Sequence, residues 1–256
     1  MGILEGKVAI ITGGGQGIGE GLVYAFCHEG AKVINIGRTF SKVERVVENI
    51  KKDGCDAMAL QCDIGDYAQV EAAVAKAVET YGKIDILVNN AMTQHIVPFE
   101  ETTEQDMWDA YRNNVLGTFN CIKSCLPYLK ETKGRIINFG SGSGTHGSRG
   151  MTSYGTSKEA IRGMTKILAV ELSKYGINVN CVVPTATTPA FEKMRDEATP
   201  ERREQMFAGY LIRRPGDNLG DPEEDVGGVV VFLASKYSQY MTGRTLFADG
   251  GKAMFR

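Results

Sequence analysis

Short apolar runs alternate along the chain with longer stretches in which apolar residues recur every third or fourth position. The runs cover residues 7–12, 32–37, 56–61, 84–89, 135–140, 178–183 and 245–248. They are rich in Val, Ile and Leu and are bounded by glycine and polar residues, the pattern of strands buried on both faces of a parallel sheet. The stretches at 20–29, 43–52, 67–81, 104–129, 157–174 and 223–233 carry helical spacing with one apolar face. Strand and helix in alternation predict one α/β domain over 1–256, a doubly wound parallel sheet of about seven strands. The rhythm breaks at 186–221, where prolines and charges surround Phe191, Met194, Met206, Phe207, Tyr210 and Leu211. Such an insertion between two strands predicts a lid over a substrate.

Composition narrows the partners. The chain has 256 residues, enough for one large core. Its 29 basic and 31 acidic side chains give a net charge of −2, and no long basic run is present. Nucleic acid and anionic membrane are therefore not expected as partners. No apolar stretch reaches the length of a bilayer span, and no secretory leader pattern opens the chain, so a cytoplasmic location is expected. The six cysteines (Cys27, Cys55, Cys62, Cys121, Cys125, Cys181) form no C-x-x-C spacing and read as buried or free thiols. The three histidines, His28, His95 and His146, lack zinc-ligand spacing, so no metal is expected.

Two motifs carry chemistry. Residues 12–19, Thr-Gly-Gly-Gly-Gln-Gly-Ile-Gly, follow the first apolar run and open a helical stretch. A glycine turn between a strand and a helix lets backbone N–H groups and the helix dipole approach a pyrophosphate. Gly13, Gly15, Gln16, Gly17, Ile18 and Gly19 are the expected cradle. The second motif is Tyr154 and Lys158, four residues apart. On a helix they share a face, where an ammonium lowers a phenol's pKa from about 10 toward neutrality and makes it a working acid or base.

Further ordered motifs are Cys62-Asp63, Asn89-Asn90-Ala91, Asn114-Val-Leu-Gly117, Ile136-Ile-Asn-Phe-Gly-Ser141, Pro184, and 240–251 ending in Ala-Asp-Gly-Gly. Together with the glycine turn and the tyrosine–lysine pair, they resemble the short-chain dehydrogenase/reductase family over essentially the whole length. Residues 127–132, 158–163 and 177–180 are similar to bacterial bile-acid hydroxysteroid dehydrogenases. The resemblance implies a Rossmann fold, a homotetramer and a four-residue active site. Ser141 would position the substrate oxygen, with Ser143 as a second hydroxyl. Tyr154 would donate or accept the proton. Lys158 would lower the tyrosine pKa and hold the cofactor ribose. Asn114 would anchor a water. Asp63 would hold the adenine, with Ile64, Asn90, Ala91, Pro184 and Thr187 or Thr188 as further cofactor contacts.

The second strand speaks to cofactor choice. A carboxylate at its end would bind the ribose diol of NAD. That place falls at Gly37, and Arg38 and Thr39 follow, groups suited to a 2′-phosphate, so NADP(H) is favoured over NAD(H). Gln16 tempers this, because it is not basic. Two departures from the family pattern stand out: Met92 replaces a glycine after Ala91, and Thr185 follows Pro184 where glycine is usual. The substrate wall is expected at Met92, His95, Ser141, Ser143, Tyr154 and Phe191, an apolar and adaptable surface for a bulky ketone or secondary alcohol. A 3-oxoacyl or enoyl thioester reductase and a non-catalytic dinucleotide-binding sensor are the alternatives.

Overall fold

Val8, Ala9, Ile10 and Ile11 are each 1% exposed or less, and the strand they form lies in the interior of the sheet. A computed structural model describes residues 2–254, so the domain expected over 1–256 is seen without residues 1, 255 and 256. The first half runs β1 (Val8–Thr12), α1 (Gly17–His28), β2 (Lys32–Gly37), α2 (Phe40–Lys52), β3 (Ala57–Gln61), α3 (Tyr67–Tyr81) and β4 (Ile86–Asn89). Then follow α4 (Glu104–Ala110), α5 (Gly117–Thr132), β5 (Arg135–Phe139), α6 (Gly142–Thr145), α7 (Thr152–Leu172) and β6 (Asn178–Pro184). The chain continues through α8 (Pro189–Asp196), α9 (Pro200–Phe207), α10 (Gly228–Ala234) and β7 (Thr245–Ala248).

All pairings are parallel, in the order β3-β2-β1-β4-β5-β6-β7. Successive strand residues point to opposite faces. Ala9 and Ile11 accordingly join the layer under α1, α2 and α10, with Phe26, Val46 and Val230. Val8 and Ile10 join the layer under α3, α5 and α7, with Val74, Cys125 and Leu172. This is the doubly wound α/β sheet expected from the alternating pattern.

Local chemistry moves several boundaries. The run at 84–89 yields a strand only from Ile86, because the Asp85 carboxylate takes the N–H of Val8 at 3.0 Å and ion pairs with Lys7 and Lys83. The helix expected over 104–129 is interrupted by a π-helical turn, Tyr111–Leu116, and Asn114 lies inside it. A wider turn of this kind re-aims side chains and is common at functional sites. The helix expected from 157 begins at Thr152, which brings Tyr154 and Lys158 onto the same helix.

The insertion folds into α8 and α9, each started by a threonine cap (Thr188, Thr199) and a proline. Its two ends meet where Thr187 N–H donates to Gly220 O and Thr187 Oγ1 accepts from Leu219 N–H, both at 2.8 Å. The cysteine expectation needs a correction. Cys27 at the end of α1 and Cys55 before β3 are joined as a disulfide across 28 positions of sequence, while Cys62, Cys121, Cys125 and Cys181 are buried free thiols. Spacing along the chain gave no sign of the pair because α2 intervenes between them. Among the described residues no helix is long and apolar enough to cross a membrane, and no group of His, Cys, Asp and Glu is arranged to hold a metal ion.

Candidate active site

The sheet order reverses direction at β1 and β4, which opens a crevice beyond their C-terminal ends. A cleft of about 620 Å³ occupies it. Gly13, Gly15, Gln16, Gly17, Ile18 and Gly19 line the cleft beside Arg38, Thr39, Asp63, Ile64, Asn90, Ala91 and Thr188. Pro184 and Thr187 do not line it: Pro184 pairs with Ala248 in the sheet, and Thr187 is spent on closing the insertion. The neighbour that reaches the cleft is Thr188, followed by Pro189 and Ala190.

Two glycines are required where the turn packs. Gly13 has φ +74°, and a Cβ there would stand 2.7 Å from Ala91 Cα. A Cβ on Gly19 would stand 2.1 Å from Gly13 O. Gln16 starts α1 without capping it by its side chain, so the helix opens toward the cleft with N–H groups that no side chain takes up. Thr12 Oγ1 accepts the N–H groups of Asn90 and Ala91, and the Asn90 amide donates to Thr12 O, tying the two central strands at the mouth. Beneath the turn the buried Asn35 amide donates to Gly14 O and Val43 O. A narrow backbone turn, a helix start and a long cleft along the strand ends fit a dinucleotide. The sequence reading missed Thr12 and Asn35. A polar residue in the middle of the 32–37 run was the available signal for Asn35.

The second half of the site sits at the ends of β5 and α7. Ser141 follows β5 in extended backbone and caps α6, accepting from Ser143 N–H at 3.1 Å. Tyr154 lies in the first turn of α7, buried, with the Ser141 side chain acting on its hydroxyl. Lys158 is 2% exposed. Its Nζ donates to Phe139 O at 3.0 Å and stands 5.8 Å from the Tyr154 ring centre. Asn114 is fully buried: its amide donates to Thr93 O and Ser157 Oγ, and its Oδ1 accepts from Thr93 N–H. Ser157 in turn donates to Tyr154 O. The structure thus brings Asn114, Ser141, Tyr154 and Lys158 together, and adds Ser157, whose role no sequence spacing announced.

The electrostatics correct one expectation. Lys158 was expected to pull the Tyr154 pKa down. Instead burial pushes the phenol above its usual value, with the Ser141 hydrogen bond acting in the opposite sense. Burial lowers the Lys158 ammonium from 10.5 to about 8. The Lys158 hydrogen bond goes to a backbone carbonyl, and burial decides the direction of the phenol's shift.

Around this centre the substrate side is apolar. Met92 is 47% exposed and lines the cleft. The 92–97 loop is held by Val97 N–H donating to Gly150 O, and Gln94 approaches Met151 Sδ. Ser143 is half-buried beside Ser141. Phe191 stacks edge-on with Phe207, which is buried. His95 is turned to Asp106 at 3.7 Å, and His146 has Thr145 Oγ1 at 3.3 Å from its Nδ1.

The family model for short chain dehydrogenase matches residues 7–200. The chain belongs to the short-chain dehydrogenase family. A 12alpha-hydroxysteroid dehydrogenase from a Clostridium species is 39% identical over 259 residues, covering 98% of each chain. The 3-oxoacyl-(acyl-carrier-protein) reductase FabG of Staphylococcus aureus is 35% identical over 250 residues, covering 97% of this chain and 98% of its own. Among solved structures, a 7 alpha-hydroxysteroid dehydrogenase complexed with NADH and 7-oxo glycochenodeoxycholic acid is 33% identical. It superposes with a TM-score of 0.89 over 97% of this chain and 94% of that one. This short-chain dehydrogenase is therefore an oxidoreductase acting on CH–OH groups of a small molecule, with a nicotinamide dinucleotide as cofactor.

Proposed function

We propose that the enzyme interconverts a secondary alcohol and a ketone on a bulky apolar substrate of the hydroxysteroid or bile-acid kind, with NADP(H) preferred over NAD(H). The observation that carries the reaction type is the buried Tyr154 with Lys158 Nζ 5.8 Å from its ring on the same helix, and with the Ser141 side chain acting on its hydroxyl. The cleft lined by Gly13, Gly15, Gly17, Asn90 and Ala91 would hold the dinucleotide, whose nicotinamide would supply the hydride in reduction and accept it in oxidation. Ser141 donates a hydrogen bond to the substrate oxygen and fixes its place. Tyr154 gives its proton to that oxygen as the C–O π pair moves onto it, leaving the alcohol and a phenolate. Lys158, cationic below about pH 8, stabilises the phenolate that forms. Asn114, through Thr93 and Ser157, holds the loop and the helix that flank the reacting groups.

Met92, which lines the cleft, and Ile96, beside Gly150 ahead of α7, are 47% and 68% exposed. Apolar side chains left open at a site favour an apolar ligand over water. The hydroxysteroid relatives agree with that choice. Gly37 and Arg38 at the end of β2 favour a 2′-phosphate. The FabG relative keeps a 3-oxoacyl thioester as the second reading. A panel of oxo bile acids, simpler ketones and oxoacyl and enoyl thioesters, each run with NADPH and NADH, separates the readings. Highest kcat/KM on an oxo bile acid with NADPH is expected; a preference for thioesters, or for NADH, would overturn the corresponding half. A location in the cytoplasm fits this cofactor.

A further inference from the structure

A 2′-phosphate carries close to two negative charges at neutral pH, and one guanidinium neutralises half of that. The cleft holds a second cation at the same end. Lys42 lies in the first turn of α2 and is exposed, yet its Nζ is drawn back across the cleft to donate to Gln16 Oε1 at 2.6 Å. Lys42 and Gln16 line the cleft together with Arg38 and Thr39. We propose that Lys42 is the second cation of the 2′-phosphate subsite and that Gln16 positions it. The proposal rests on the NADP(H) reading above and assigns that preference a second residue.

The charges around the glycine turn separate into two groups. Arg45, one turn further along α2, is compensated: it pairs with Glu20 at 2.7 Å and donates to Gly15 O. Lys42 meets only a neutral amide, and Arg38 offers only its backbone carbonyl, to Gln61. Among the described residues neither cation has a carboxylate partner. A neutral acceptor orients an ammonium without cancelling its charge, so both cations remain available to an incoming anion.

The start of α2 has the same sign. It carries no acidic residue in its first turn, and Thr39 caps it without using its hydroxyl. Thr39, with its hydroxyl unused by the cap, therefore lines the same end of the cleft as the two cations. The turn and α2 are in direct contact, since a Cβ on Gly15 would stand 2.8 Å from Lys42 Cβ. Position 16 of the glycine turn has no charge of its own. The structure brings one to it through space, from position 42.

The test is calorimetric binding of adenosine 2′,5′-bisphosphate, with 5′-AMP as the reference lacking the 2′-phosphate. Lys42→Gln should weaken the bisphosphate about tenfold, the lower end of a charge-assisted hydrogen bond, and change AMP far less. Lys42→Arg should restore most of the affinity, and the effect should shrink with added salt. If Arg38→Ala loses the bisphosphate while Lys42→Gln does not, the proposal is overturned and the NADP(H) reading stands. If Lys42→Gln weakens both ligands equally, Lys42 only props the turn and the proposal fails. If the parent binds both ligands equally well, the NADP(H) reading falls and the proposal with it.

Discussion

Lys158 Nζ donates a 3.0 Å hydrogen bond to the carbonyl oxygen of Phe139, which pins the ammonium of α7 to the strand that leads into Ser141. One contact thus fixes the serine and the tyrosine–lysine helix relative to each other. It also leaves a buried charge with no carboxylate beside it. That combination separates what Lys158 does for catalysis from what it does for stability.

Lys158→Met should abolish most activity without lowering stability at pH 7. The ammonium titrates at about 8 in the fold against 10.5 in its ordinary state, so the unfolded chain binds its proton more readily. The fold bears the cost of burying that charge below pH 8, and the cost disappears as pH rises from about 8 to 10.5. Its upper size is about 3 kcal/mol. Melting temperatures across this range should show the parent gaining on the methionine variant as pH rises. A variant much less stable at pH 7, with a gap that pH does not alter, would contradict this sign.

Arg38→Ala should raise KM for NADPH roughly tenfold or more and leave KM for NADH nearly unchanged, since only the former carries the phosphate a guanidinium can hold. Equal effects on both cofactors would show that Arg38 serves the adenine or the turn instead.

Much of this was legible in the sequence for a physical reason. The inner strands are buried on both faces and so read as largely apolar runs, the edge strands β3 and β7 still stand out between turns, and Tyr67–Tyr81 matched its helix end to end. Glycine positions were legible because close approach permits nothing larger at Gly13 and Gly19. Illegible features were those made through space. Lys42 reaches Gln16 across 26 positions, Asn114 reaches Ser157 across 43, and Cys27 reaches Cys55 around α2. The π turn at Tyr111–Leu116 was hidden because its apolar spacing still reads as helix. The direction of the Tyr154 shift was hidden because burial, which sequence does not weigh, outweighs the Ser141 side chain acting the other way.

The helices at α5 and α7 should carry subunit contacts in a homotetramer. Phe119, Ile167 and Val170 are 47%, 60% and 77% exposed on these helices, and Leu116 at the preceding turn is 51% exposed. Apolar surface of that kind is usually covered. Sedimentation should find the parent as a tetramer and the Ile167→Glu, Val170→Glu double variant as smaller species. A parent that is monomeric at micromolar concentration would contradict the assembly.

The most direct measurement is the turnover of Tyr154→Phe on the best ketone with NADPH, alongside cofactor binding by fluorescence. The phenylalanine keeps the ring that fills the space above Lys158 and removes the hydroxyl that meets Ser141. Cofactor should bind as in the parent while kcat falls by about 10²–10⁴-fold, the usual contribution of a general acid. Turnover near the parent rate would mean that the proton comes from elsewhere and that Tyr154 is not the acid.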